Sequence, residues 1–124
     1  MKDGREHRVP LSEAALEVLG GLRRTEGSER VFPGMRGPLS DMSLSTVLRR
    51  MHINATVHGF RSTFRDWCAE HTEYPNEVVE MALAHAIGDK VEAAYRRGDL
   101  YRKRARMMND WGHFVVPAEE RTRL

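Results

Sequence analysis

Apolar residues recur at helical spacing in a succession of short blocks, each closed by turn-forming residues. This punctuation excludes most of what a chain of this size can become. Ser12, then Ala14, Ala15, Leu16, Val18 and Leu19, then Gly20-Gly21, reads as a helix with a hydroxyl N-cap and a glycine stop. Val31-Phe32-Pro33-Gly34 and Gly37-Pro38 are turn chemistry around a short extended piece. After them, Ser40 or Asp41 caps a helix that places Leu44, Val47, Leu48 and Met51 on one face. Further helices are expected over about 59–70, 76–84, 89–97 and 100–115, with a frayed tail after Pro117.

The start of the chain reads differently. Asp3-Gly4 precedes the strand-like stretch His7-Arg8-Val9-Pro10-Leu11, and Asp-Gly in that position is a tight hairpin turn. Only Met1 and Lys2 precede the turn, too few for a strand, so most of the first hairpin strand is read as missing and the N-terminus as a truncation point. The expected architecture is one mainly α domain across residues 1–124, helical with a small β-hairpin remnant at the N-terminus.

Composition narrows the setting. A chain of 124 residues with 40% hydrophobic content can bury one modest core, and no apolar run approaches the roughly 20 residues that span a bilayer. Nothing at the N-terminus has the pattern of a signal peptide, and the single cysteine, Cys68, cannot form an internal disulfide. A soluble protein of the reducing cytoplasm is expected. Of the 20 basic residues, 17 are arginine, the side chain suited to bidentate phosphate contacts. The same count also fits a solvated arginine face, so motifs must decide.

The stretch Val57-His58-Gly59-Phe60-Arg61-Ser62-Thr63-Phe64 separates at helical pitch into two faces. Phe60, Phe64, Trp67 and Cys68 point one way; His58, Arg61 and Arg65 cluster on another side, where an imidazole and a guanidinium can approach one phosphate together. Two basic residues three apart also occur on ordinary solvated helices. Likewise His85, near a helix end, reads as a cap or packed residue as readily as a ligand, and Tyr95, sharing a face with Val91 and Ala94, reads as a core tyrosine.

Order and wording change that balance. The string from His58 to Trp67 resembles the His-x-x-Arg box of the tyrosine recombinases of the phage-integrase family, especially integrases of satellite phages and genomic islands. Ala82-Leu83-Ala84-His85 resembles the box with the family's second histidine, and Asp89-Lys90-Val91-Glu92-Ala93-Ala94-Tyr95-Arg96-Arg97-Gly98-Asp99 the segment with its nucleophilic tyrosine. Lys2 to Ser12 resembles the family's hairpin, whose lysine is catalytic; Phe32-Pro33 and Pro38-Leu39-Ser40 recur there too. Tyr74 and Tyr101 fall outside the matching tyrosine box.

The resemblance implies the DNA breaking-rejoining catalytic fold, truncated, acting on duplex DNA without cofactor or metal. It implies Tyr95 as the nucleophile forming a 3′-phosphotyrosyl link and Arg61 as the phosphate clamp. His58 would assist proton transfer, His85 would hydrogen-bond the phosphate and Lys2 would protonate the leaving 5′-oxygen. Arg65, Arg96 and Arg97 would contact DNA. The family pattern opens with an arginine on a helix before the hairpin, and no residue here corresponds to it. The chain alone is therefore expected not to cleave DNA.

The closing helix is expected to show an apolar stripe of Tyr101, Ala105, Met108, Gly112 and Val115, opposite Arg102, Arg106 and His113. That stripe serves either core packing or self-association, as in the family's tetrameric synapse. Two rivals stand beside the recombinase reading: a type IB topoisomerase-like enzyme, which the integrase-type boxes disfavour, and a non-catalytic DNA-binding or interaction remnant of a decayed integrase.

Overall fold

The computed structural model describes residues 6–85 and 100–121. Helix α1 (Glu13–Gly20) leads to a minimal hairpin, β1 (Pro33–Gly34) antiparallel to β2 (Gly37–Pro38). Then follow α2 (Ser43–Arg50), α3 (Gly59–His71), α4 (Asn76–Ala82), α5 (Tyr101–Val115) and the single turn α6 (Ala118–Arg121). The described residues are mainly helical with one small sheet, and no helix among them is long and apolar enough to cross a membrane.

The core belongs to α3, α4 and α5. Phe64, Trp67 and Cys68 lie at i, i+3 and i+4 on α3 and so share one face; they meet Val78 and Val79 of α4, Leu83 at its end, and the fully buried Met107 of α5. Trp111 closes this cluster from α5. Its ring stands edge-on to Phe64 at 5.3 Å, tilted to Trp67 at 5.2 Å and stacked on Phe114 at 5.6 Å. Such pairs add about 0.5–1.5 kcal/mol each beyond the area they bury.

Helix α1 docks by its first turn. Ser12 caps it as the sequence implies, its Oγ accepting from the Ala15 amide at 3.1 Å, while the Glu13 amide donates to Asn109 Oδ1 of α5 at 2.9 Å. Contact this close needs a glycine opposite: a Cβ on Gly112 would lie 2.9 Å from Ser12 Oγ and 3.0 Å from Ser12 Cβ.

Several expectations are corrected. Residues 6–11 form no strand, and the hairpin among the described residues lies at Pro33–Pro38 instead. Pro10 has no N–H to give a ladder. The segment is held from outside, by the Arg104 guanidinium donating to the Arg8 carbonyl at 2.7 Å and by the Arg8 guanidinium 4.8 Å above the Tyr101 ring. Neither Ser40 nor Asp41 caps α2: Met42 is its N-cap residue, and Ser40 forms the turn before it, accepting from the Ser43 amide at 3.0 Å.

The buried seam of α5 is rotated from the expected stripe. Arg104, Met107 and Gly112 are buried, whereas Tyr101 and Val115 are exposed, because Met107 and Trp111 are the side chains that fill the space beside Phe64 and Trp67. Phe60, expected beside Phe64, is half exposed. Ala118–Arg121, part of the tail expected to fray after Pro117, form a helical turn, with the Glu120 amide bonded to the Pro117 carbonyl and acidic residues suited to a helix start. The helix expected over about 89–97 lies outside the described residues.

Candidate anion-facing site at the α3–α4 junction

The site begins with a turn. Thr56 Oγ1 accepts from the Gly59 amide at 3.0 Å, satisfying a free donor at the start of α3, and a Cβ at Gly59 would stand only 2.8 Å from that oxygen. Thr56 thus does the capping, and the imidazole of His58, the N-cap residue, makes no cap hydrogen bond. One turn on, the Arg61 guanidinium reaches the end of α4 and donates through Nη2 to the Leu83 carbonyl. A cation at the carbonyl end of a helix meets both an unsatisfied acceptor and the negative pole of the helix dipole.

Helix α4 ends in a Schellman motif without glycine. Leu83 is the C-cap; Ala84 follows in the left-handed region at φ 54°; the Ala84 amide bonds Met81 O at 3.1 Å and the His85 amide bonds Glu80 O at 3.0 Å. This closure folds His85 back over Glu80. His85 Nδ1 lies 2.6 Å from Glu80 Oε2, and Arg65 Nη2 of α3 lies 2.9 Å from Glu80 Oε1. Glu80 Oε1 is sealed from solvent and finds no aligned hydrogen bond, so its contact with Arg65 is electrostatic. The Arg65 side chain is 51% exposed, which keeps that pair within the roughly 0–1 kcal/mol of a surface ion pair.

Arg61, Arg65 and His85 therefore gather where α3 crosses the end of α4, and His58 stands one turn before Arg61 at the head of α3. Lys2, Tyr95, Arg96 and Arg97 lie outside the described residues. Among the described residues, no three of His, Cys, Asp and Glu come together as metal ligands would. A concavity lined by Leu19, Leu22, Arg23, Arg24 and Val31 shares no residue with the junction.

The other tyrosines of the described residues are engaged elsewhere. The Tyr74 hydroxyl donates to Asp110 Oδ2 at 2.5 Å; burial and that carboxylate push its pKa up to about 12. The Tyr101 ring is flanked by the Arg8 and Arg104 guanidinium groups at 4.8 and 5.7 Å. Burial pushes the Cys68 thiol up to about 11, which leaves it a packing residue rather than a nucleophile.

Glu80 and Thr56 escaped the sequence reading. Glu80 stands five residues before His85, the spacing that a Schellman closure brings together, but alanine at the left-handed position does not mark the closure, and the helix expected to run to about 84 ends at Ala82. Thr56, three residues before Gly59, is a helix-start signal that the basic residues beside it obscured.

The described residues define a small helical unit presenting arginine and histidine side chains at one exposed junction. The sequences it is similar to are integrases. The chain is 34% identical, over 96% of its length, to prophage integrase IntA of Escherichia coli (strain K12), covering 30% of that protein. It is 31% identical over 93% of its length to the integrase of Shigella phage Sf6, covering 31% of it, and 33% identical over 90% to that of Enterobacteria phage P4, covering 27%. No family model matches the chain, and no solved structure does. Over nearly its whole length the chain is similar to a segment of these phage and prophage integrases, and it spans under a third of their length.

Proposed function

We propose that this chain is part of the catalytic domain of a tyrosine-type, site-specific recombinase, which cuts and rejoins duplex DNA in the cytoplasm to integrate or excise a mobile element. One observation carries the reading: Arg61 and Arg65 from one sequence box and His85 from another meet at the α3–α4 junction. A phosphodiester repels anionic nucleophiles, and guanidinium groups beside an imidazole are what its cleavage requires.

In the proposed step the Tyr95 phenol oxygen forms a bond to phosphorus, the bond from phosphorus to the 5′-oxygen breaks, and a 3′-phosphotyrosyl link holds the strand. His58 takes the phenol proton, Lys2 delivers one to the 5′-oxygen, Arg61 and His85 hold the non-bridging oxygens, and Arg65, Arg96 and Arg97 line the DNA path. The engagement of Tyr74 with Asp110 supports Tyr95 as the nucleophile. Joining to a different strand reverses the same bonds.

The chain is proposed to be one part of the DNA breaking-rejoining fold. Helix α2 buries no residue, and Leu16, Leu44, Val47 and Met51 are exposed, as a surface built to meet further protein would leave them. The first arginine of the family pattern would come from that further protein, and the complete enzyme would self-associate on DNA. A non-catalytic remnant is the alternative outcome.

A chimera tests this. With the chain replacing the matching segment of the P4 integrase, a nicked suicide substrate should give a covalent adduct on a denaturing gel, and Tyr95→Phe should abolish it. The 124-residue chain alone should react at least about 100-fold more slowly, since the first arginine is missing from the transition-state clamp. No adduct from the chimera, or one that survives Tyr95→Phe, contradicts the proposal.

A further inference from the structure

We infer that Glu80 is the positioning residue of this site, fixing which nitrogen of His85 carries a proton and which one faces a ligand. The inference deepens the reading above, in which His85 meets a phosphate.

In a Schellman closure the side chains of the third-last helical residue and of the second residue after the cap come together, commonly as an apolar contact. Here that pair is Glu80 and His85, and the contact is a hydrogen bond of 2.6 Å from ring nitrogen to carboxylate. The backbone reinforces it, with the His85 amide 3.0 Å from the Glu80 carbonyl. One residue thus holds both the main chain and the ring of His85.

An ionised carboxylate only accepts, so Nδ1 must be the donor; an unprotonated Nδ1 would set two lone pairs against each other at 2.6 Å. Whether neutral or cationic, His85 therefore carries a proton on Nδ1, and Nε2 is left for a ligand. That reverses the tautomer a free imidazole prefers in water. The second carboxylate oxygen lies against Arg65 and is sealed from solvent, so the carboxylate is braced between α3 and the end of α4. Leu83, two residues before His85, is held in turn by Arg61. Glu80 touches no reacting atom in this scheme; it acts through His85 and Arg65.

Nitrogen-detected NMR of the 124-residue chain, without DNA, tests the inference. Wild type should show His85 protonated on Nδ1. Glu80→Gln, whose amide can donate as well as accept, should weaken that preference, and Glu80→Leu should move the neutral ring toward the Nε2–H form while the Trp67 and Trp111 resonances stay native. An Nε2–H form in the wild type, which needs no variant to fold, overturns the inference; so does an unchanged tautomer in Glu80→Leu. In the integrase chimera, Glu80→Leu should slow adduct formation by about 10–100-fold, as loss of an orienting group beside a ligating histidine typically does, with Glu80→Gln falling between Glu80→Leu and wild type. An unaffected rate beside a shifted tautomer overturns the positioning role. A chimera that forms no adduct at all counts against the recombinase reading, and the tautomer measurement stands apart from it.

Discussion

Among the described residues, 59–85 with 100–115 and 12–53 use similar amphipathic helices to opposite ends. In the first region α3, α4 and α5 turn their apolar faces on one another, and Phe64, Trp67, Val78, Val79 and Met107 vanish from the surface. In the second, only the first turn of α1 is buried, through Ser12 and Ala14, while Leu16, Val31, Phe32, Leu44, Val47 and Met51 stay about half exposed or more. An apolar stripe specifies a helix that will pack; it does not specify that the partner lies within the same 124 residues. The difference teaches that, among the described residues, one region closes on itself as a core and the other leaves a face.

The largest expected effect separates the two regions directly. Met107→Ala removes a side chain with 0% exposure from the centre of the core and should cost about 2–5 kcal/mol in urea unfolding, whereas Leu44→Ala on α2 should stay within about 0.5 kcal/mol. Comparable losses would mean that α2 packs in solution after all, and the comparison would break.

A smaller effect probes the contact of α1 with α5 where the regions are joined. Gly112→Ala gains about 1 kcal/mol of helix propensity, yet drives a methyl group to 2.9 Å from Ser12 Oγ and 3.0 Å from Ser12 Cβ. Overpacking of that kind costs about 1–3 kcal/mol and also disturbs the α1 cap, so a net loss near 1 kcal/mol is expected from thermal unfolding. A stabilised Gly112→Ala would show that α1 rides loosely on α5.

The smallest effect is confined to alkaline pH. Tyr74 holds its proton up to about 12 in the folded state against an ordinary 10.0, so its contribution is complete below about pH 10 and lost as pH rises toward 12. Wild type should lose melting temperature across that interval more steeply than Tyr74→Phe. Parallel curves would separate Tyr74 from Asp110 and weaken the α5 side of the core.

Much of this was legible from residue types. The Ser12 cap, the mainly helical architecture and the Phe64, Trp67 and Cys68 face follow from local rules that tertiary packing does not override. The rotated seam of α5 was not legible, because a buried arginine reads as polar until its carbonyl partner on Arg8 is known. Nor was the Glu80–His85 pair, since it depends on Ala84 adopting a left-handed conformation that sequence assigns to glycine. The resemblance to integrases was written in His58 to Trp67 and Ala82 to His85; the way those boxes meet depends on how α3 crosses α4.

The central claim is that the packed region carries the DNA-facing junction while the apolar face of α1 and α2 meets further protein. Amide chemical-shift mapping of the 124-residue chain with a short duplex tests it most directly, at low salt where phosphate contacts are strongest. The account predicts weak binding with little sequence preference, shifts concentrated at His58, Arg61, Arg65 and His85, and their disappearance as salt is raised. Shifts centred on α2 and the hairpin, or binding that ignores salt, would contradict it.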